Sequence, residues 1–201
     1  MAEGDAEYQV ADEDQLRAHW YALLGRLLSV APDQATLDLV RGLKGDETDL
    51  GVGVKALAAA ARGVTTAMAE EEYFNLFIGV GQGELLPYGS YYLAGFLNEK
   101  PLARLRGDMA GLGIARATGV KEPEDHIASL CEMMAGMITG AFGAPVGLAE
   151  QQQFFVRHIG SWAPRFFEDL EAARSAALYM PVGTIGRVFM AIENQAFEMA
   201  A

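Results

Sequence analysis

The run Glu-Pro-Glu-Asp-His at 122–126 concentrates the side chains best able to do chemistry. A carboxylate beside an imidazole can exchange a proton, share a metal ion or receive a guanidinium in a bidentate pair. As an acid–base pair, Asp125 and His126 would need a closed pocket around a small molecule. As metal ligands, Glu122, Asp125 and His126 crowd one turn and cannot all face a single ion. His19, His126 and His158 are far apart in sequence, and no zinc-binding spacing joins them. Cys131 lies in an apolar stretch, where a buried, inert thiol is the ordinary outcome. The glycines of GVGQGE imitate a phosphate loop, but no strand precedes them and no lysine–hydroxyl pair follows. Two readings of Asp125 and His126 stay open. In one, Asp125 caps helix amides, worth about 1 kcal/mol, and His126 bonds to a neighbouring helix. In the other, both stand at the rim of a groove and Asp125 accepts from an arginine.

The elements that must position these residues read as helices. Leu16, Trp20, Leu23, Leu24, Leu27 and Leu28 recur at spacings of three and four, predicting a first helix over about 12–30. Pro32 opens a second, through about Leu43. Four glycines predict a loop over 44–53. Helix then runs to Phe77, with a break at Gly63–Thr66. The segment IGVGQGELLPYGSYY is too rich in glycine, with Pro87, to be mostly helical. A helix follows from Pro101 to about Gly111. Another begins at Pro123, with Glu124 and Asp125 at its positive end, and turns Ile127, Leu130, Met134 and Met137 inward. Segments over 148–161, 163–177 and 181–200 complete the chain. The expected fold is all-α, one compact bundle of eight to ten helices over 13–201, preceded by an acidic tail at 1–12.

Composition narrows the function. The 201 residues carry 27 acids against 15 bases, a net charge of −12. Nucleic acid needs concentrated positive charge, so it is not an expected partner, whereas a basic peptide would be drawn to such a surface. No apolar run approaches the roughly 20 residues of a membrane span, so stable membrane insertion is not expected. One cysteine allows no internal disulfide, and the acidic first residues lack the bases of a targeting peptide. A cytoplasmic protein is expected. Hydrophobic residues make up 51% of the chain, enough for a large core or for a core plus an apolar face kept for a partner.

Three blocks together carry a resemblance. The first is EEYFNLFIGVGQGELLPYGSYY, with Phe74, Leu76 and Phe77 ahead of a glycine loop and then Pro87, Ser90 and Tyr91. The second is EPEDH at 122–126, and the third is FFVRHIGSWAPRFFEDL. In order and interval they resemble the TorD/DmsD/NarJ-type redox-enzyme maturation chaperones over about 14–195. The chain departs from that pattern at Gly89, where many members carry glutamate, which leaves the subgroup open.

The resemblance implies a bacterial cytoplasmic chaperone, not an enzyme, without cofactor or metal. It implies binding of the twin-arginine signal peptide, the apo-catalytic subunit, or both, of a molybdenum oxidoreductase. The client would be of the formate dehydrogenase or dimethyl sulfoxide/trimethylamine N-oxide reductase type. Monomers and homodimers both occur in the family. The expected peptide-binding residues are Phe74, Phe77, Glu84, Pro87, Tyr88, Tyr91, Glu124, Asp125, His126, His158 and Trp162. Asp125, with Glu124 or Glu84, would meet the arginines, and Phe77, Tyr88 and Tyr91 would flank an apolar groove. Two other readings stand beside this one: an assembly protein that binds folded client, and a small helical enzyme using Asp125 and His126.

Overall fold

A computed structural model describes residues 10–116 and 119–200. The expected acidic tail falls largely outside them, and helix already begins at Asp12. The described residues form ten α-helices and two π-helical turns. These are α1 (Asp12–Ser29), α2 (Gln34–Arg41), α3 (Asp49–Ala61), α4 (Thr66–Tyr73) continuing as π1 (Phe74–Ile78), α5 (Gly89–Ala94) and α6 (Lys100–Gly111). Then come α7 (Ile127–Thr139), α8 (Leu148–Phe155) continuing as π2 (Val156–Gly160), α9 (Ala163–Glu171) and α10 (Met180–Ala200). The expected all-α bundle is the observed one.

Helices α1 and α7 form the central pair, and α10 packs on α3 and α9. The stripe of α1 turns further than its leucines alone indicate. Tyr21, Leu24 and Leu28 are buried, while Leu16 is exposed and Trp20 is partly covered. Gly25 explains the turn: a side chain there would meet Glu132 Cγ at 3.2 Å and the Ala128 carbonyl at 3.4 Å. Its absence lets α7 close in, with Cys131, Met134 and Met137 fully buried. Burial pushes the Cys131 thiol far above its usual range, so it stays protonated and unreactive. The methionines of α7 fill the core.

Four expected boundaries shift. The loop over 44–53 is shorter, because Thr48 caps α3 by accepting from the Gly51 amide at 3.1 Å. Gly53 lies inside that helix as a contact point, where a Cβ would stand 3.0 Å from Ile185 of α10. Four residues expected in the irregular segment, Gly89 to Tyr92, form most of α5. The helix expected from Pro123 starts at Ile127, and α9 stops at Glu171. In each of the last two cases a long-range contact overrides local propensity. Gly89 donates to the Asp125 carbonyl and Ile127 to the Pro87 carbonyl, both at 2.9 Å, bridging His126 to Tyr88 and holding the turn at 123–126 against 87–89. Beyond α9, Glu72 accepts from the amides of Ala177, Leu178 and Tyr179 at 2.7–3.1 Å. Peptide groups bound this way cannot also serve a helix.

Candidate peptide-binding clefts

The segment at 122–126 is a turn, closed by the His126 amide donating to the Pro123 carbonyl at 3.1 Å, and it sends its side chains in different directions. His126 is the N-cap of α7, its Nδ1 accepting from the Ala128 amide at 3.1 Å. Burial pushes this imidazole down to about 4, so it is neutral and free to accept. Asp125, 3% exposed, accepts from the Ser90 amide at 2.6 Å and so holds the first turn of α5. The roles expected at this helix start are therefore exchanged: histidine caps its own helix and aspartate ties down another. The 87–89 segment, distant in sequence, covers Asp125, which still borders a cleft on its other side. Its Oδ1 and the neighbouring Ser90 hydroxyl have no partner among the described residues.

Glu124, one residue earlier, points elsewhere. It receives Nε and Nη2 of Arg106 at 3.0 and 2.8 Å, with Arg116 at 3.8 Å. Burial works against its charge, yet the Arg106 hydrogen bonds hold the carboxyl below the usual range. Glu122 receives the Tyr88 hydroxyl. Tyr88 packs edge-on against His126, with ring centres 5.1 Å apart.

The aromatic block positions the opposite wall. The Trp162 indole donates to the His158 carbonyl at 2.6 Å and lies over Tyr92, 5.4 Å between centres. Gly89 fits beneath it: a Cβ there would stand 3.0 Å from Trp162 Nε1. This gives the departure at Gly89 a physical reason. The turn π2 aims His158 and Arg157 at Asp108, 2.6 and 2.7 Å away. Burial opposes charge on Asp108, but Arg157 and His158 together keep its carboxyl low. Burial likewise lowers His158, against the pull of Asp108.

Two clefts result, and the adjacent acids Glu124 and Asp125 face different ones. The larger, about 450 Å³, lies between α5, α6 and π2, with Asp125, Leu93, Lys100, Arg104, Arg157 and His158 in its lining. The second, about 180 Å³, lies between α6, residues 114–116 and 120–124, and α7. Its walls are Met109, Ile114, Val120, Met133 and Phe142, with Glu122, Glu124 and Glu132 among them. Glu132 makes no ion pair among the described residues, and partial burial raises its carboxyl above the usual range.

Expected site residues do not all converge. Phe77 packs on Tyr179 at 5.4 Å, and Glu84 accepts from the amides of Arg174 and Ser175 at 2.8 and 3.1 Å. Hydrogen bonds from Ser175 and the Arg174 backbone hold Glu84 low. Its carboxylate thus fastens the α9–α10 loop. Phe74 is exposed beside these residues. Pro87, Tyr88, Tyr91, Glu124, Asp125, His126, His158 and Trp162 cluster around α5 and the 122–126 segment. Sequence reasoning missed Glu132, Lys100 and Arg104. Glu132 had a readable signal, as the one charged residue in IASLCEMMAGMIT.

Among the described residues no helix is long and apolar enough to cross a membrane. An all-α bundle whose polar side chains mostly fasten loops, with two open clefts beside them, defines a helical binding scaffold. Residues 44–168 match the nitrate reductase delta subunit family, and the chain belongs to that family, the TorD-like maturation chaperones. It is 29% identical over 126 residues to the chaperone protein TorD of Vibrio cholerae, covering 59% of this chain and 57% of that one. TorD of Aliivibrio salmonicida is 30% identical over 103 residues, 47% of this chain and 48% of the relative. The matches thus span about half to three-fifths of those curated relatives. A crystal structure of an Archaeoglobus fulgidus protein assigned to redox enzyme maturation shares the fold. Its TM-score is 0.56 at 19% identity, over 94% of this chain and 99% of that one.

Proposed function

We infer that this chain is a non-catalytic chaperone for the catalytic subunit of a molybdenum oxidoreductase. It holds the apo-subunit in the cytoplasm through a twin-arginine leader until the subunit matures. Kinship with TorD chaperones supports the general reading. The observation that carries the leader reading is Glu132, an exposed carboxylate that makes no ion pair among the described residues and borders a cleft walled by methionine, isoleucine, valine and phenylalanine, with Arg116 beside Glu124. A leader offers an arginine followed by apolar residues. Its guanidinium would meet Glu132 and Glu122, and its apolar side chains would lie along Met109, Met133 and Phe142. Each 100 Å² of apolar surface so buried contributes about 2.5 kcal/mol before ordering costs. This moves the expected arginine contact from Asp125 and Glu84, whose carboxylates serve the fold, to the neighbouring cleft. No bond is made or broken, so no catalytic residue is required. Methionine walls suit a groove that must accept varied apolar sequences.

Calorimetric titration with a molybdoenzyme leader peptide tests this. Saturable binding should fall at least about tenfold when both arginines become alanine, about 1.4 kcal/mol, and again in Glu132→Gln. Equal binding of both peptides would sink leader recognition.

A further inference from the structure

The larger cleft has the opposite electrostatic character, on a chain whose net charge is −12. Lys100 and Arg104 line it one helical turn apart on α6, and neither makes an ion pair among the described residues. Like charges at this spacing repel. Lys100 is also the first residue of α6, against the positive end of the helix dipole. The N-cap Glu99 makes no side-chain capping bond that would offset this. Arg157 adds a third cation at the opposite wall, partly neutralised by Asp108. Both side chains are exposed, and a carboxylate bound between them would offset their mutual repulsion.

Two further features narrow the ligand. Asp125 borders the same cavity, with one buried carboxylate oxygen lacking a donor and the Ser90 hydroxyl unpartnered beside it. A bare anion such as phosphate would be repelled by Asp125 and, as a dianion, brings it no N–H. A peptide carrying an acidic side chain brings both a carboxylate and backbone N–H groups. The connector from Leu93 and Ala94 in one wall to Lys100 in the other carries Phe96 and Leu97, exposed at 72% and 40%. Exposed apolar side chains beside cations match a segment that alternates acidic and apolar residues.

We propose that the α5–α6–π2 cleft binds an acidic–apolar segment of the client, seating its carboxylate between Lys100 and Arg104. This rests on the client-binding reading above but not on the leader being twin-arginine. The site is separate from the Glu132 cleft and of opposite charge, so one client would be held at two points. Two linked contacts raise retention without either being tight.

The test is fluorescence anisotropy of the full chain with a short labelled peptide bearing one glutamate between leucine and phenylalanine. Counterparts carry glutamine or arginine at the central position. The glutamate peptide should bind saturably, and the glutamine peptide about tenfold more weakly. Lys100→Glu with Arg104→Glu should abolish glutamate-peptide binding and admit the arginine peptide. The milder Lys100→Gln with Arg104→Gln should weaken it at unchanged circular dichroism. Equal affinity for glutamate and glutamine peptides, or preference of the unaltered chain for arginine, overturns the proposal. So does calorimetric binding of inorganic phosphate, dependent on Arg104, in the absence of any peptide binding. Glu132→Gln should leave the acidic peptide untouched. Loss of leader binding alone would therefore sink the leader cleft, and loss of acidic-peptide binding alone would sink this one.

Discussion

Two polar clusters of this molecule, one buried throughout and one that reaches the surface, follow opposite rules. Between α1 and α10, Glu193 is 1% exposed, and both its oxygens are satisfied. Arg17 Nε reaches Oε1 at 2.8 Å, while Arg17 Nη2 and the Tyr21 hydroxyl reach Oε2 at 2.9 Å. Gln151 and Asp14 complete the guanidinium's contacts, at 3.1 and 2.7 Å. Burial disfavours charge on Arg17, yet Glu193 more than offsets this and its pKa rises. Around α5, α6 and α7 the accounts stay open. Asp125 Oδ1 and Ser90 Oγ lack partners, and Lys100, Arg104 and Glu132 lack counter-ions among the described residues. A closed network is what the fold needs to choose one structure. Groups left open at a tolerated cost mark places where something else completes them.

The sharpest way to break this contrast is to open the closed network. Glu193→Ala should destabilise by about 3–5 kcal/mol, because Arg17 and the Tyr21 hydroxyl lose a shared partner inside the protein. Urea denaturation monitored by circular dichroism would measure it. A loss below about 1 kcal/mol would mean that the network closes nothing of value. The double replacement Arg17→Met with Glu193→Leu should recover much of the loss, since neither charge is then stranded.

Next in size is a pH effect confined to the second region. The His126 imidazole titrates near 4 in the fold, against about 6.5 when unfolded. Between those values the unfolded chain binds the extra proton, so stability is fully present above about pH 6.5 and declines as pH falls toward 4. The ceiling is about 3 kcal/mol. Denaturation midpoints of His126→Asn, which keeps a capping side chain, should lose this slope relative to the unaltered chain. An unchanged slope would assign the acid sensitivity to other groups.

Asp125→Ala should cost about 1–3 kcal/mol by leaving the Ser90 amide without an acceptor. Asp125→Asn, still able to accept, should cost clearly less in the same assay. If both cost the same, the charge rather than the hydrogen bond holds α5. The smallest effects belong to the open charges. Lys100→Gln, Arg104→Gln and Glu132→Gln should each shift stability by no more than about 0.5 kcal/mol. A larger loss from any of them would show that the fold depends on a charge assigned here to a partner.

The periodic leucines of α1, the methionines of α7 and the phenylalanines near Trp162 made the all-α bundle legible from the chain, because burial at intervals of three and four is a local signal. Thr48, Thr65 and Asp33 capped helices that short-range patterns already indicated. The three blocks that carried the resemblance meet around α5 and the 122–126 segment. They did not say which acid does what. Glu84, Glu124, Asp125 and His126 look equally available in sequence, yet three of them hold backbone amides and the fourth holds Arg106. Those partners lie up to 91 residues away.

The sequence by itself therefore determined the helices, their apolar faces and the family, since each depends on neighbours within a few turns. Only the tertiary structure decided where α7 begins, why position 89 is glycine and which charges remain unspent. Each of these depends on a hydrogen bond or close contact between distant segments, and local spacing carries no record of such a meeting.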